Sequence, residues 1–70
     1  MQPLSPREIV RRLTRLGFDP PRGRGDHQYM SRGKQKVFVP NPHGSVVSVN
    51  LIRRMIRNAG ITPEEWDAAE

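Results

Sequence analysis

Two histidines are the residues of this 70-residue chain best suited to proton transfer. Histidine is the side chain whose ordinary pKa lies near neutrality, as general acid–base catalysis requires. His27 follows a basic segment, residues 22–25, whose arginines have the planar fork that binds phosphate. The sequence therefore suggests acid–base chemistry at a phosphate, with His27 as the catalytic group. From spacing alone, a surface histidine with no catalytic role remains the simpler interpretation.

The second histidine, His43, lies in the proline-rich loop 40–44. Two prolines stiffen this loop, so His43 could serve as a second catalytic or phosphate-binding group, or it could be an ordinary polar loop residue. Two histidines with only Asp26 nearby provide too few ligands for a metal. We therefore expect no metal and no cofactor. Since the chain has no cysteine, disulfides, thiolate zinc sites and cysteine nucleophiles are excluded.

The charge of the chain is unevenly distributed. Twelve basic residues against seven acidic ones give a formal net charge of +5, and ten of the twelve are arginine. Residues 1–60 hold all the bases and three of the acids, a formal charge of +9, whereas 64–70 hold the other four acids. A small basic body of this kind indicates a polyanionic partner, most often nucleic acid. The expected RNA-binding side chains are Arg22, Arg24, Tyr29, Arg32, Lys34 and His43.

Among these, Tyr29 could stack on a base, as aromatic residues do in sheets that bind single-stranded RNA. Ordinary half-buried packing is an equally good interpretation of Tyr29. The first sixteen residues carry charges every few positions, which is not typical of a signal peptide or a membrane span. We therefore expect a cytoplasmic protein that does not bind membranes.

Two main helices must position these groups. Ser5 is the predicted N-cap of a helix over Pro6–Leu16, with Glu8 completing a capping box. The second helix is predicted to begin near Ser48 and to end at Gly60, which suits a left-handed C-terminal residue. The arginines expected on the outer side of the first helix are Arg7, Arg11, Arg12 and Arg15.

The segment between the helices is predicted to form strands. His27–Met30 and the β-branched, aromatic run Lys36–Val39 predict a hairpin with a turn at 31–34. A further strand before His27 should be short or displaced, because Pro20 and Pro21 lack backbone N–H donors. A short helical segment at about 62–70, including Trp66, is expected to be loosely attached. The predicted core is Ile9, Leu13, Leu16, Phe18, Val37, Val39, Ile52 and Ile56.

Four segments together resemble the HicA (YcfA-like) toxin family. They are the end of the first helix at 16–18, the histidine segment 25–30, the strand end 37–43 and the second helix 51–61. No one of these motifs is decisive, but all four occur in register over nearly the whole chain. Asp26 departs from the family pattern, which has a small hydroxyl or amide residue before the histidine. An anion there could repel a phosphate or stabilise a protonated His27.

The resemblance implies an α+β fold similar to double-stranded RNA-binding domains. In this α-β-β-β-α arrangement both helices cover one face of a small antiparallel sheet, and residues 1–70 form one domain. It also implies an mRNA interferase, an endoribonuclease that needs no metal and uses one histidine, here His27. A HicB-like antitoxin would cover that histidine. The alternative is a non-catalytic RNA-binding module, which the same basic surface would also serve.

Overall fold

A computed structural model describes residues 1–25, 27–40 and 44–70 of the chain. The expectations for Asp26 and His43 therefore lie outside the described residues. The elements in chain order are α1 (Pro6–Arg15), β1 (Tyr29–Arg32), β2 (Gln35–Phe38), α2 (Val49–Ala59) and α3 (Pro63–Ala68).

Both main helices begin where capping side chains predict. The Ser5 hydroxyl accepts a hydrogen bond from the Glu8 backbone N–H at 3.2 Å, which satisfies one of the free donors of the first turn. The Glu8 carboxylate does not complete the expected box, because it binds Arg11 at 2.6 Å instead. α1 ends at Arg15, one residue before the predicted Leu16. Gly60 ends α2 with a φ of 74°, as predicted.

The hairpin is antiparallel and has two distinct faces. Tyr29 pairs with Phe38, and Met30 pairs with Val37. Because successive strand residues point to opposite faces, Met30 and Val37 lie together on the face that packs against the helices. Tyr29 and Phe38 lie on the opposite, outer face. β1 begins at Tyr29, two residues after the predicted His27, whose N–H donates within a turn to the Arg24 carbonyl. β2 begins at Gln35, one residue before the predicted Lys36, because Gln35 already pairs with Arg32.

The expected strand before His27 is reduced to isolated pairing beside β1. Asp19 N–H donates to the Ser31 carbonyl at 2.7 Å, and Arg22 exchanges two hydrogen bonds of 2.8 Å with Tyr29. Asp19 and Arg22 are three residues apart, whereas their partners Ser31 and Tyr29 are two apart. The segment before His27 therefore has one more residue than the stretch of β1 that it pairs with. Such a bulge suits the prolines at 20 and 21, which cannot donate to the sheet. The prediction of a short or displaced first strand is confirmed.

The C-terminal segment is part of the core, so the prediction that it is loosely attached was wrong. Trp66 of α3 has no exposed surface. Arg12 of α1, which was expected to face outward, is also buried. Its guanidinium lies 5.3 Å from the centroid of the Trp66 ring and donates to the Trp66 carbonyl at 3.2 Å. A cation on an aromatic face thus joins the first helix to the last.

The core otherwise contains the predicted residues, with one exception. Leu16 is only partly buried and packs at the edge of the core. The core residues missing from the predicted set are Leu4, Met30, Val47, Met55, Ala59, Ile61 and Trp66.

The α+β fold class is confirmed. Residues of α1 and α2 form one core with Met30 and Val37, so both helices cover the same face of the hairpin. This is the arrangement of double-stranded RNA-binding domains, with the first of three strands reduced to the pairing around Arg22. In the described part of the chain, no helix is long and apolar enough to span a membrane.

Candidate active site and nucleic-acid interface

His27 lies in a closed loop at one end of the hairpin. The reciprocal hydrogen bonds between Arg22 and Tyr29 close this loop at its base. Inside it, the Arg24 carbonyl accepts a hydrogen bond from His27 N–H at 2.9 Å. His27 is exposed, as are Arg22 and Arg24. The loop therefore holds the backbone of an exposed histidine and also contains two exposed arginines.

Gly23 is the residue that permits this loop to close. Its φ is 102°, a conformation that side chains disfavour. A Cβ added at residue 23 would lie 2.1 Å from the His27 carbonyl oxygen and 3.1 Å from the carbonyl carbon. Both are backbone atoms, so no side-chain rotation could relieve the clash. The glycine thus allows the backbone of residue 23 to pack directly against the backbone of His27.

Three residues form a row across the outer face of the sheet. Directly opposed residues of antiparallel strands share a face. Arg22 is opposite Tyr29, and Tyr29 is opposite Phe38. We call Arg22, Tyr29 and Phe38 the outer row. The ring centroids of Tyr29 and Phe38 are 6.1 Å apart with the ring planes tilted by 58°, and Phe38 is 60% exposed.

Lys36 covers the two aromatic rings of the outer row. Its ammonium nitrogen is 4.2 Å from the Tyr29 centroid and 5.2 Å from the Phe38 centroid. At an exposed site such a contact contributes about 0.5–1 kcal/mol. Lys36 therefore adds a positive charge on a flexible side chain to this apolar surface.

Arg32 was expected to bind RNA, but its surroundings indicate a structural role. Its guanidinium donates to the Leu16 carbonyl at 2.6 Å and to the Gln35 side chain at 2.8 Å. It also lies 3.4 Å from a Glu65 carboxylate oxygen and 4.7 Å from the centroid of the Phe18 ring. These contacts lie on the helix side of the sheet, away from the outer row. Arg32 therefore has intramolecular partners in the fold, and its contact with RNA stays a prediction.

The other candidates occupy different places. Lys34 is exposed in the turn between the strands, at the end of the hairpin opposite His27. β1 alone spans about 10 Å from Tyr29 to Arg32, so the backbone of Lys34 lies well away from Arg22 and Arg24 along the hairpin. Among the described residues, no three side chains of histidine, aspartate or glutamate come together as a metal site.

Sequence reasoning missed Phe38 and Lys36 as surface residues of the site. The signal was present in the alternation of the second strand. With Val37 and Val39 assigned to the core, residues 36 and 38 must point to the opposite face. A phenylalanine on that exposed face should have been noted beside Tyr29.

Comparison with known proteins identifies the family. The family model described as the HicA toxin of bacterial toxin–antitoxin systems matches residues 6–61, from the first residue of α1 to the residue after Gly60. Neither the curated proteins nor the solved structures gave a match. The matched range includes α1, the His27 loop, the hairpin and α2, and it covers well over half of the chain. The chain belongs to the HicA toxin family of bacterial toxin–antitoxin systems.

Proposed function

We propose that this toxin is a metal-independent endoribonuclease that cleaves mRNA in the cytoplasm, with His27 as its catalytic residue. The observation that carries the proposal is the exposed His27, held in a closed loop that also contains the exposed Arg22 and Arg24. A toxin acts by destroying something that the cell needs for growth, and mRNA is such a target. The exposed imidazole can reach a large substrate, and the arginines can neutralise its phosphates.

The proposed reaction is an internal transfer within the RNA. The ribose 2′-OH attacks the adjacent phosphorus while its proton passes to a base. The bond from phosphorus to the 5′-oxygen breaks, and that oxygen receives a proton. The products are a 2′,3′-cyclic phosphate and a 5′-OH end. His27 serves as the base, the acid or both, and Arg22 and Arg24 stabilise the charge that develops on the phosphate.

The test is cleavage of single-stranded RNA in excess EDTA. The expected result is fragments that end in a cyclic phosphate. An RNA with a 2′-deoxyribose at the cleavage position is the matched substrate control and should stay intact there. His27→Ala should reduce the rate by about 10²–10⁴-fold, the usual contribution of general acid–base catalysis. Its fold should survive, because His27 is exposed. Intact RNA at high protein concentration would overturn the proposal, and full activity of His27→Ala would overturn the role of that residue.

Control of the enzyme is the second part of the proposal. A HicB-like antitoxin with an acidic surface would cover His27 and compete with RNA for the neighbouring arginines. The alternative function is a non-catalytic RNA-binding module, which the outer row would also serve. The EDTA experiment separates the two, because a binding module would retain the RNA without cutting it.

A further inference from the structure

We propose that the outer face of the hairpin binds an unpaired base of single-stranded RNA, stacked on Tyr29 and Phe38. This inference deepens the proposed function, because it states how the substrate is held beside His27. It extends the expected role of Tyr29 to a surface built with Phe38 and Lys36.

The exposure of Phe38 is the first argument. It is the most exposed large apolar side chain in the described residues, at 60%, although it belongs to a regular strand. Its cross-strand partner is a second aromatic ring, so the apolar surface is a pair of rings rather than one residue. Aromatic side chains on an open sheet are the usual support for unpaired bases of RNA.

The charge around the pair is the second argument. Arg22 is beside Tyr29 in the outer row, and Lys36 lies over both rings. The two rings can support one base, and the two cations can contact the phosphates on either side of that nucleotide.

Lys36 covers the rings without preventing a base from binding. An exposed cation–π contact is weaker than the stacking of a base on an aromatic ring. A base can therefore displace the Lys36 ammonium from the rings. Because the lysine side chain is flexible, the ammonium can then contact an adjacent phosphate.

The distance to the catalytic residue is the third argument. His27 precedes Tyr29 by two residues, so their Cα atoms are at most about 7 Å apart. A nucleotide stacked on Tyr29 therefore has its phosphate within reach of the His27 loop. The aromatic pair would thus position the phosphate at which His27 transfers protons during cleavage.

The experiment measures binding of a fluorescent single-stranded RNA decamer to protein in a His27→Ala background, so that the probe is not cut. Phe38→Leu retains an apolar side chain and removes the ring. It should weaken binding by roughly 5- to 140-fold, the effect of losing one base-stacking contact. Val46→Ala alters another exposed apolar residue and is the matched control, expected to bind as well as its parent. A decamer of abasic nucleotides should show no difference between Phe38→Leu and its parent.

Cleavage by the single variant Phe38→Leu, with His27 present, supplies an independent readout. The KM should rise by a similar factor while kcat changes much less. Equal decamer affinity of the two proteins would overturn the stacking proposal even if the toxin cleaves RNA. Loss of decamer affinity in Phe38→Leu would uphold it even if the toxin proves to have no nuclease activity. If Phe38→Leu impaired only antitoxin binding, the face would be a protein interface and the proposal would be wrong.

Discussion

The carbonyl oxygen of His27 occupies the position where a side chain at residue 23 would begin. A Cβ on Gly23 would lie 2.1 Å from that oxygen, well inside van der Waals contact. The conformation of the His27 loop therefore depends on a residue that contributes no functional group. Nothing in the spacing of the charged residues reveals this dependence.

Gly23→Ala should therefore impair catalysis by displacing His27. The backbone must shift to relieve the clash, and a displacement of about 1 Å can cost about a hundredfold in rate. Gly33→Ala is the matched control, because Gly33 also has a positive φ of 60° but has no atom within 4 Å of an added Cβ. The rate of RNA cleavage and the thermal unfolding midpoint should be measured for both variants. Equal cleavage by Gly23→Ala and Gly33→Ala would contradict a positioning role for Gly23.

The elements and the helix-facing side of the sheet were predictable from the sequence because local signals specify them. Ser5 and Gly60 give the helix ends, and the alternation through Val37 and Val39 gives the buried face of β2. The contacts of Arg32 were not predictable, because its partners Leu16 and Glu65 are distant in sequence. Local patterns show that a residue is charged, but only the tertiary packing shows which groups receive its hydrogen bonds.

The position of Trp66 was mispredicted for a related reason. Its short helix has a complete capping box between Thr62 and Glu65, a local signal that predicts the helix but not its place in the fold. Arg12, which donates to the Trp66 carbonyl, is 54 positions earlier in the chain. Since an arginine on a helix is normally assigned to solvent, the pattern gave no reason to place this one beneath an indole ring.

Arg12→Ala should therefore destabilise the fold. The substitution removes a buried hydrogen bond from a charged donor and the contact with the Trp66 ring, for an expected loss of about 1–3 kcal/mol. Arg11→Ala is the matched control on the same helix. It removes only an exposed pair with Glu8, a contribution of about 0.2–0.5 kcal/mol. Urea unfolding of both variants measures the difference, and equal stabilities would show that Arg12 does not attach α3.

RNA binding should weaken with salt to an extent set by the cations that contact phosphate. Each neutralised phosphate of a single strand contributes about −0.7 to the slope of log affinity against log salt. Contacts from Arg22, Arg24 and Lys36 therefore predict a slope of about −2. Arg24→Gln should make the slope about 0.7 less steep. Arg11→Gln changes an arginine of α1 that pairs with Glu8, and it should leave the slope unchanged. The titration is carried out on the His27→Ala background, and an unchanged slope for Arg24→Gln would exclude that residue from the RNA surface.

The antitoxin should inhibit the toxin by occupying the His27 loop. An acidic inhibitor that competes with RNA for Arg22 and Arg24 prevents access to His27 without altering the fold. The charge-reversing variant Arg24→Glu should therefore bind the antitoxin more weakly than the wild type, because its contact becomes repulsive. Arg57→Glu makes the same change in net charge, but on α2. It should retain antitoxin affinity if the antitoxin binds the His27 loop specifically.

Hydrogen exchange in the complex gives the direct measurement of this contact. Added antitoxin should slow exchange of the amides across residues 22–29 and should protect RNA at the same protein ratio. The exposed side chains of Arg22, Arg24 and His27 make the loop accessible in the free toxin, so protection beyond the existing backbone hydrogen bonds must come from the partner. An antitoxin that binds tightly while exchange in the loop and RNA cleavage both stay unchanged would place the control site on another surface, such as α2. If the antitoxin competes with RNA at the loop, the loss of cleavage and the slowing of amide exchange should saturate at the same antitoxin concentration.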